Sequence, residues 1–343
     1  MKAVYAERPF QIGLRDIPVP KIRDDEVLIC VAYAGVCASD LHAFRGVHAF
    51  RKPPVMLGHE VSGTICEIGS AVTGFQIGQP VTVMPQIGCG QCPACKSGQT
   101  NRCTKKILPG TSNWIGTFGE YFVAPASVLC PLGEVPLDLG SITEPLAVAV
   151  HVMQQMPSDH GENLVILGAG AIAMMLLVIA PSYGFRNIMM TDIVDENLKL
   201  ARELGAAKTV NVLHEDAATA AREYFGDPGC ENTIIGAGST DILAQAIDLT
   251  APGGNIVYYA MITKEMTFNT YPIVFKELKL HGSLNYTMDD FDAAIRLLNK
   301  HCDTMRRIVT HTFPLEKADE AFEILDKRTE FAVKMILSVH GEV

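Results

Sequence analysis

The chain has 343 residues, 48 % of them hydrophobic and 19 % charged, which is enough for two hydrophobic cores. A formal charge of −10 opposes binding to nucleic acid, where lysine and arginine must displace counterions from phosphates. The apolar runs are too short to cross a bilayer, and charges and prolines fill MKAVYAERPFQIGLRDIPVP where a secretion signal needs an apolar core, so a cytoplasmic protein without membrane partners is expected.

From residue 1 to about 150 the chain reads as short strands broken by Gly and Pro, DEVLICVAYAGVC and HEVSGTICEIGSAV among them. Four residues here stand out: Cys37 in GVCASDLH, His59 and Glu60 in LGHEVSG, and Glu144 in TEPLAVAVH. Taken singly, each has a structural explanation: a small core thiol, a turn histidine, a helix-start carboxylate. Taken together they form a zinc ligand set, and three protein ligands with an open position make a catalytic site. Between them lies GCGQCPACKSGQTNRC, with Cys89, Cys92, Cys95 and Cys103 in the spacing CxxCxxCx7C. Ten cysteines in a long chain without a secretion signal point to metal or reduced thiols rather than a disulfide framework. Four sulfurs fill the shell of a tetrahedral zinc and leave no place for substrate, so a structural site is expected at 88–104; a redox dithiol needs only two.

Near residue 151 the pattern changes to strand-like runs alternating with helical ones, which implies a parallel, doubly wound sheet over 151–285. NLVILG leads into GAIAMMLLVIA, where Gly168, Gly170 and Ala173 fit the GxGxxG/A pattern that seats a pyrophosphate at a helix N-terminus. Asp192 ends the next strand, NIMMTD, where a carboxylate accepts from ribose hydroxyls and repels a 2′-phosphate, favouring NAD over NADP. Alternatively, Asp192 caps the following helix. Pro181 should end or kink the first helix, and IIGAGST reads as a strand-end turn. After residue 285, MDDFDAAIRLLNK and KADEAFEILDK read as amphipathic helices and FAVKMILSV as a closing strand.

GVCASDLH, GHEVSG, the cysteine cluster, EPLAVAVHV and GAGAIA stand in the order and spacing of the zinc-containing medium-chain alcohol dehydrogenases, and EPLAVAVHV resembles the sorbitol (polyol) dehydrogenase branch. The resemblance implies a GroES-like catalytic domain from both chain ends, 1–150 and 286–343, with a Rossmann domain inserted at 151–285, and a homodimer or homotetramer. It further implies a catalytic zinc on Cys37 and His59 joined by Glu60 and Glu144, directly or through water, an Asp40 carboxylate that orients the His59 ring from behind, and a proton relay through Ser39 and His42. Two zinc ions per subunit and NAD are the implied cofactors. The implied reaction is hydride transfer between NAD and a secondary alcohol: a polyol, sugar alcohol or sugar acid, with a 3-hydroxy amino acid such as threonine or a simple secondary alcohol as the alternative. Phe44, Phe50, Trp114, Phe118, His48 and His151 lie near these motifs, but packing explains each as well as a pocket does. A zinc-free NADPH reductase and a non-enzymatic zinc module are the rival readings; the metal ligands oppose the first and Asp192 opposes both.

Overall fold

A computed structural model describes residues 1–111, 114–262 and 264–340. The chain divides into two compact units, Met1–Ala147 with Tyr286–Val343, and Val148–Asn285.

The first unit is mainly β. Strands β1 (Lys2–Arg8), β2 (Gln11–Asp16) and a two-residue β4 (Val55–Met56) make a small antiparallel sheet. A larger one is built on β3 (Glu26–Val36), whose near-continuous apolar run EVLICVAYAGV is buried over most of its length, as a central strand covered on both faces must be. Antiparallel to β3 run β5 (Glu60–Ile68) and β7 (Tyr121–Pro125); β6 (Pro80–Val83) and β8 (Leu129–Pro131) extend the sheet beyond β5.

The second unit carries six strands, all parallel: β9 (Asn163–Leu167), β10 (Asn187–Asp192), β11 (Lys208–Asn211), β12 (Cys230–Ile235), β13 (Thr250–Tyr258) and β14 (Lys279–Gly282), in the order β11-β10-β9-β12-β13-β14. The order reverses between β9 and β12, the switch point outside whose carboxyl ends open α/β sheets bind ligands. The helix Ala171–Ile179, apolar all round, has every residue from Ala173 to Ile179 buried, which is the only stable place for such a surface. It stops at Ile179, and a 3₁₀ turn, Ala180–Tyr183, carries Pro181 in its first positions: the ring removes an N–H that an α-helix would need, as expected from the sequence.

The last part of the chain returns to the first unit. The helices Met288–Lys300 and Ala318–Lys327 form where the periodicity placed them; Thr287 caps the first, accepting from Asp290 N–H, while Asp290 accepts in return. Strand β15 (Val309–Pro314) pairs with β16 (Lys334–Ser338), and β16 joins the large sheet beside β3 with Met335 opposite Val36 and Leu337 opposite Ala34. Both chain ends therefore share one sheet. The register Gly35–Glu60 and Val36–Met335 brings the end of β3, the start of β5 and the start of β16 to one point.

Candidate metal and nucleotide sites

At that point stands Cys37. Leaving β3, the chain turns at Cys37 into the helix Ala38–Phe44; Cys37 N–H donates to Asp40 Oδ2 (3.1 Å) and Asp40 N–H to Cys37 O (3.0 Å), which fixes the thiol at the strand–helix junction. Ligand atoms of Cys37, His59 and Glu60 lie within 4.8 Å of one another, with His59 and Glu60 buried. A thiolate, an imidazole and a carboxylate in one cluster are a donor set that zinc takes, and three protein ligands leave a position open. Gly35 makes room for the carboxylate: a Cβ there would fall 1.9 Å from Glu60 Oε2.

Glu60 does not stand alone. Lys334 Nζ, 3 % exposed, lies 2.7 Å from Oε1 and 2.5 Å from Oε2 and also donates to Val36 O (3.0 Å). Burial alone would pull the Lys334 ammonium down, but the Glu60 carboxylate outweighs it and raises its pKa. Removing one partner of such a pair typically costs about 3–5 kcal/mol. Glu144, on the helix Thr143–Gln154, falls outside the Cys37–His59–Glu60 group; its Oε1 accepts from Tyr286 OH (2.7 Å). Burial and the Glu144 charge push the Tyr286 phenol well above its ordinary value, so it stays a donor. Of the two carboxylates that the sequence left in competition, Glu60 lies in the cluster and Glu144 outside it.

Asp40 lies behind His59. It is fully buried, and Oδ1 accepts from Gly58 N–H (3.1 Å) and faces His59 Nδ1 at 3.5 Å. Burial pushes the carboxyl up, yet His59, Arg51 and the Cys37 N–H together hold it down at about 2. An ionised carboxylate on Nδ1 leaves Nε2 for a metal. On the helix Ala38–Phe44, Ser39 and His42 stand three residues apart and so on one side; Ser39 is half-buried and His42 exposed.

The cysteine lobe is a second cluster. Cys89, Cys92, Cys95 and Cys103 also bring their sulfurs within 4.8 Å of one another. Cys92 caps the single-turn helix Pro93–Lys96, and the Cys89 and Cys95 N–H groups each approach a partner sulfur, of Cys103 and Cys92, at 3.5 Å. Hydrogen bonds from Gln91 and Cys92 N–H draw the Cys89 thiol down to about 6, while burial pushes Cys95 up to about 11. A four-thiolate shell fits a closed tetrahedral ion and offers no open position.

In the second unit, Gly168 follows β9 with φ +102°, and a Cβ there would stand 3.0 Å from Ala237 Cβ and 3.1 Å from Ala237 N, in the turn after β12. That turn is the GxG run of IIGAGST, which packs against the glycine loop. Gly170 precedes the helix Ala171–Ile179, with no side chain capping its first N–H groups and nothing within 4 Å of a Cβ built on Gly170; Ala173 is buried. Free N–H donors with open space before them suit a pyrophosphate. Asp192 reaches across from β10: Oδ2 accepts from Ala169 N–H (2.7 Å), and Oδ1 from Ile193 and Val194 N–H (2.8 and 2.9 Å). Its bonds go to the loop and to residues before the helix Asp195–Glu203, not to that helix's first free donors, and the carboxylate keeps accepting capacity for a ribose hydroxyl.

Most of the remaining residues pack. Trp114 is buried, donates to Val123 O (2.8 Å) and stacks on Phe122; Phe118 and Phe44 are buried, and Phe50 is exposed. His48 Nδ1 accepts from Phe50 and Arg51 N–H (3.4 and 3.2 Å), and burial with the nearby Arg51 charge lowers it to about 4, so it is a neutral loop cap. His151 is buried on its helix. Lys334 and Arg51 escaped the sequence reading. A lysine inside the apolar run FAVKMILSV was the available signal for the first, since a charge on a covered strand demands a partner.

Residues 23–134 match the family model "Alcohol dehydrogenase GroES-like domain", and residues 171–300 match "Zinc-binding dehydrogenase". The chain is 31 % identical over 322 residues to D-xylulose reductase A of Aspergillus niger, covering 91 % of this chain and 90 % of that one. Among solved structures it superposes on one described as a short chain alcohol dehydrogenase (rspB) from E. coli CFT073 complexed with NADH (TM-score 0.90, 27 % identity, 98 % and 99 % of the two chains). Galactitol-1-phosphate dehydrogenase of Escherichia coli gives a TM-score of 0.89 at 26 % identity over 98 % and 100 %. A mainly β unit closed by both chain ends, a parallel nucleotide-type sheet inserted in it, and these matches along the chain make it a member of the zinc-dependent medium-chain alcohol dehydrogenase family, in the polyol dehydrogenase branch.

Proposed function

We propose that the protein oxidises a secondary hydroxyl of a polyol, sugar alcohol or sugar acid with NAD, reversibly, using one catalytic and one structural zinc per subunit. The observation that carries this reading is the meeting of Cys37, His59 and Glu60 ligand atoms in a set with an open position, in a chain that also presents the glycine loop.

Bound at these sites, zinc supplies a Lewis acid that brings a hydroxyl's pKa toward neutrality, and the nicotinamide supplies the hydride acceptor. The protein's own groups do the rest. Cys37 and Glu60 offer negative charge, and Asp40 holds the His59 ring by its Nδ1 edge. The Ser39 hydroxyl takes up the proton that the substrate must lose, and the exposed His42 imidazole passes it to solvent. Glu144, held by Tyr286, is a second carboxylate whose charge acts on Glu60.

Incubating the protein with NAD and a panel of polyols, sugar acids, simple secondary alcohols and threonine, while following absorbance of the reduced nicotinamide, tests the reading. Polyols or sugar acids should give the highest kcat/KM; preference for threonine or simple alcohols would move the chain to another substrate class. The Asp192 carboxylate supports NAD over NADP. For Asp192→Ala, KM for NAD should rise about tenfold and the NAD/NADP preference should narrow; an unchanged preference would remove this residue from cofactor choice.

A homodimer or homotetramer in the cytoplasm completes the proposal. The edge strand β14 and the neighbouring Tyr271, Val274 and Phe275, 67–76 % exposed, present an open ladder and apolar surface that a second copy would cover. No helix among the described residues is long and apolar enough to cross a membrane.

A further inference from the structure

Arg51 opens the segment RKPP, which has the composition of a surface loop, yet its side chain is only 5 % exposed. It is tied at several points. Its N–H donates to His48 Nδ1 (3.2 Å) and Nε to Pro109 O (3.0 Å). Nη1 lies 3.5 Å from Ser39 Oγ, 3.4 Å from His59 Nδ1 and 4.0 Å from Asp40 Oδ1. Among the described residues its one ion pair is with Asp40, and the groups it faces are those of the candidate catalytic site.

A guanidinium has donors and no acceptor, so in the Arg51–Ser39 contact the serine oxygen must accept. A hydroxyl owns one proton and two lone pairs. With one lone pair given to Arg51, Ser39 keeps one acceptor and one donor, which is the valence of a relay with one proton entering and one leaving. We propose that Arg51 is a positioning residue for proton transfer: its Nη1 fixes the orientation of the Ser39 hydroxyl and its charge favours electron density on Oγ. This rests on the relay reading above. In the step, the substrate O–H bond breaks and its proton bonds to Ser39 Oγ as the serine's own proton leaves along the relay whose solvent end is His42; the electron pair stays on the substrate oxygen. Lysine, a point charge without the planar fork, can keep the charge but not the contacts to Pro109 O and Ser39 Oγ together.

The test is a double-mutant cycle of Arg51→Met and Ser39→Ala, with Arg51→Lys alongside, read by kcat, KM, zinc content, NADH binding by fluorescence and the visible spectrum of the cobalt-loaded protein. Arg51→Met should lower kcat about tenfold to hundredfold, within the range of a positioned proton-transfer group. KM, metal content, NADH binding and the cobalt spectrum should stay within about twofold of the parent. Arg51→Lys should regain part of the rate, and in the Ser39→Ala background Arg51→Met should cost less than about twofold. Equal costs in both backgrounds, or loss of the catalytic metal with Arg51→Met, would overturn the proposal. If Arg51→Met fails to fold, the same coupling is read from Arg51→Lys. Failure of the broader reading shows separately, as a parent protein that oxidises no alcohol in the panel.

Discussion

Cys37→Ser should release one of two bound zinc ions and lower kcat/KM at least about a thousandfold, which corresponds to roughly 4 kcal/mol of transition-state stabilisation. A serine hydroxyl is a poor ligand beside a thiolate, and among the described residues no other ligand joins the group: Glu144 lies outside it and is engaged by Tyr286. The Gly168 loop and Asp192 belong to the other unit, so NADH binding should persist. Metal analysis, NADH fluorescence and turnover, measured on one preparation, separate loss of chemistry from loss of fold. A variant that kept both metals and the full rate would sink the assignment of Cys37.

Cys92→Ser should act on stability instead. The lobe from Cys89 to Cys103 contains one helical turn and one 3₁₀ turn, with Cys103 and Asn101 as its buried side chains, so it has little core of its own. Metal binding is worth about 10 kcal/mol or more in isolated four-ligand modules, and losing a ligand removes much of the term that orders the loop. The expected result is a protein with about one zinc, a melting temperature lower by ten degrees or more, and a specific activity per folded molecule within about threefold of the parent. A folded variant with its Cys37 metal in place and no turnover would mean that the lobe takes part in the reaction.

The two clusters were legible to different degrees, for a physical reason. Four cysteines within 15 residues must meet wherever the loop goes, so spacing alone announces them. Gly168, Gly170 and Asp192 are similarly local, because a strand, a turn and a helix fix them, and the switch point between β9 and β12 follows from alternating periodicity. The choice between Glu60 and Glu144 could not be read this way. The surroundings that tell them apart, Lys334 against Glu60 and Tyr286 against Glu144, come from residues 274 and 142 positions away in sequence, brought in by pairing of β16 with β3 and by packing at the start of the last segment. Arg51 was hidden for the opposite reason: its neighbours Lys52 and Pro54 are exposed, so local composition pointed outward while tertiary contacts drew the side chain in.

The ion pair between Glu60 and Lys334 joins residues 274 apart in sequence. During synthesis, a chain that has already made Cys37, His59 and Glu60 has a carboxylate destined for burial and no cation to accompany it. The segment Val148–Asn285, whose six strands are consecutive, can close around its own core in the meantime. The candidate metal cluster is therefore a late product of the ribosome's work: β16 must emerge and add to β3 before Glu60 gains its cation, and a truncated chain would advertise itself to quality control by an unpaired charge in its largest sheet.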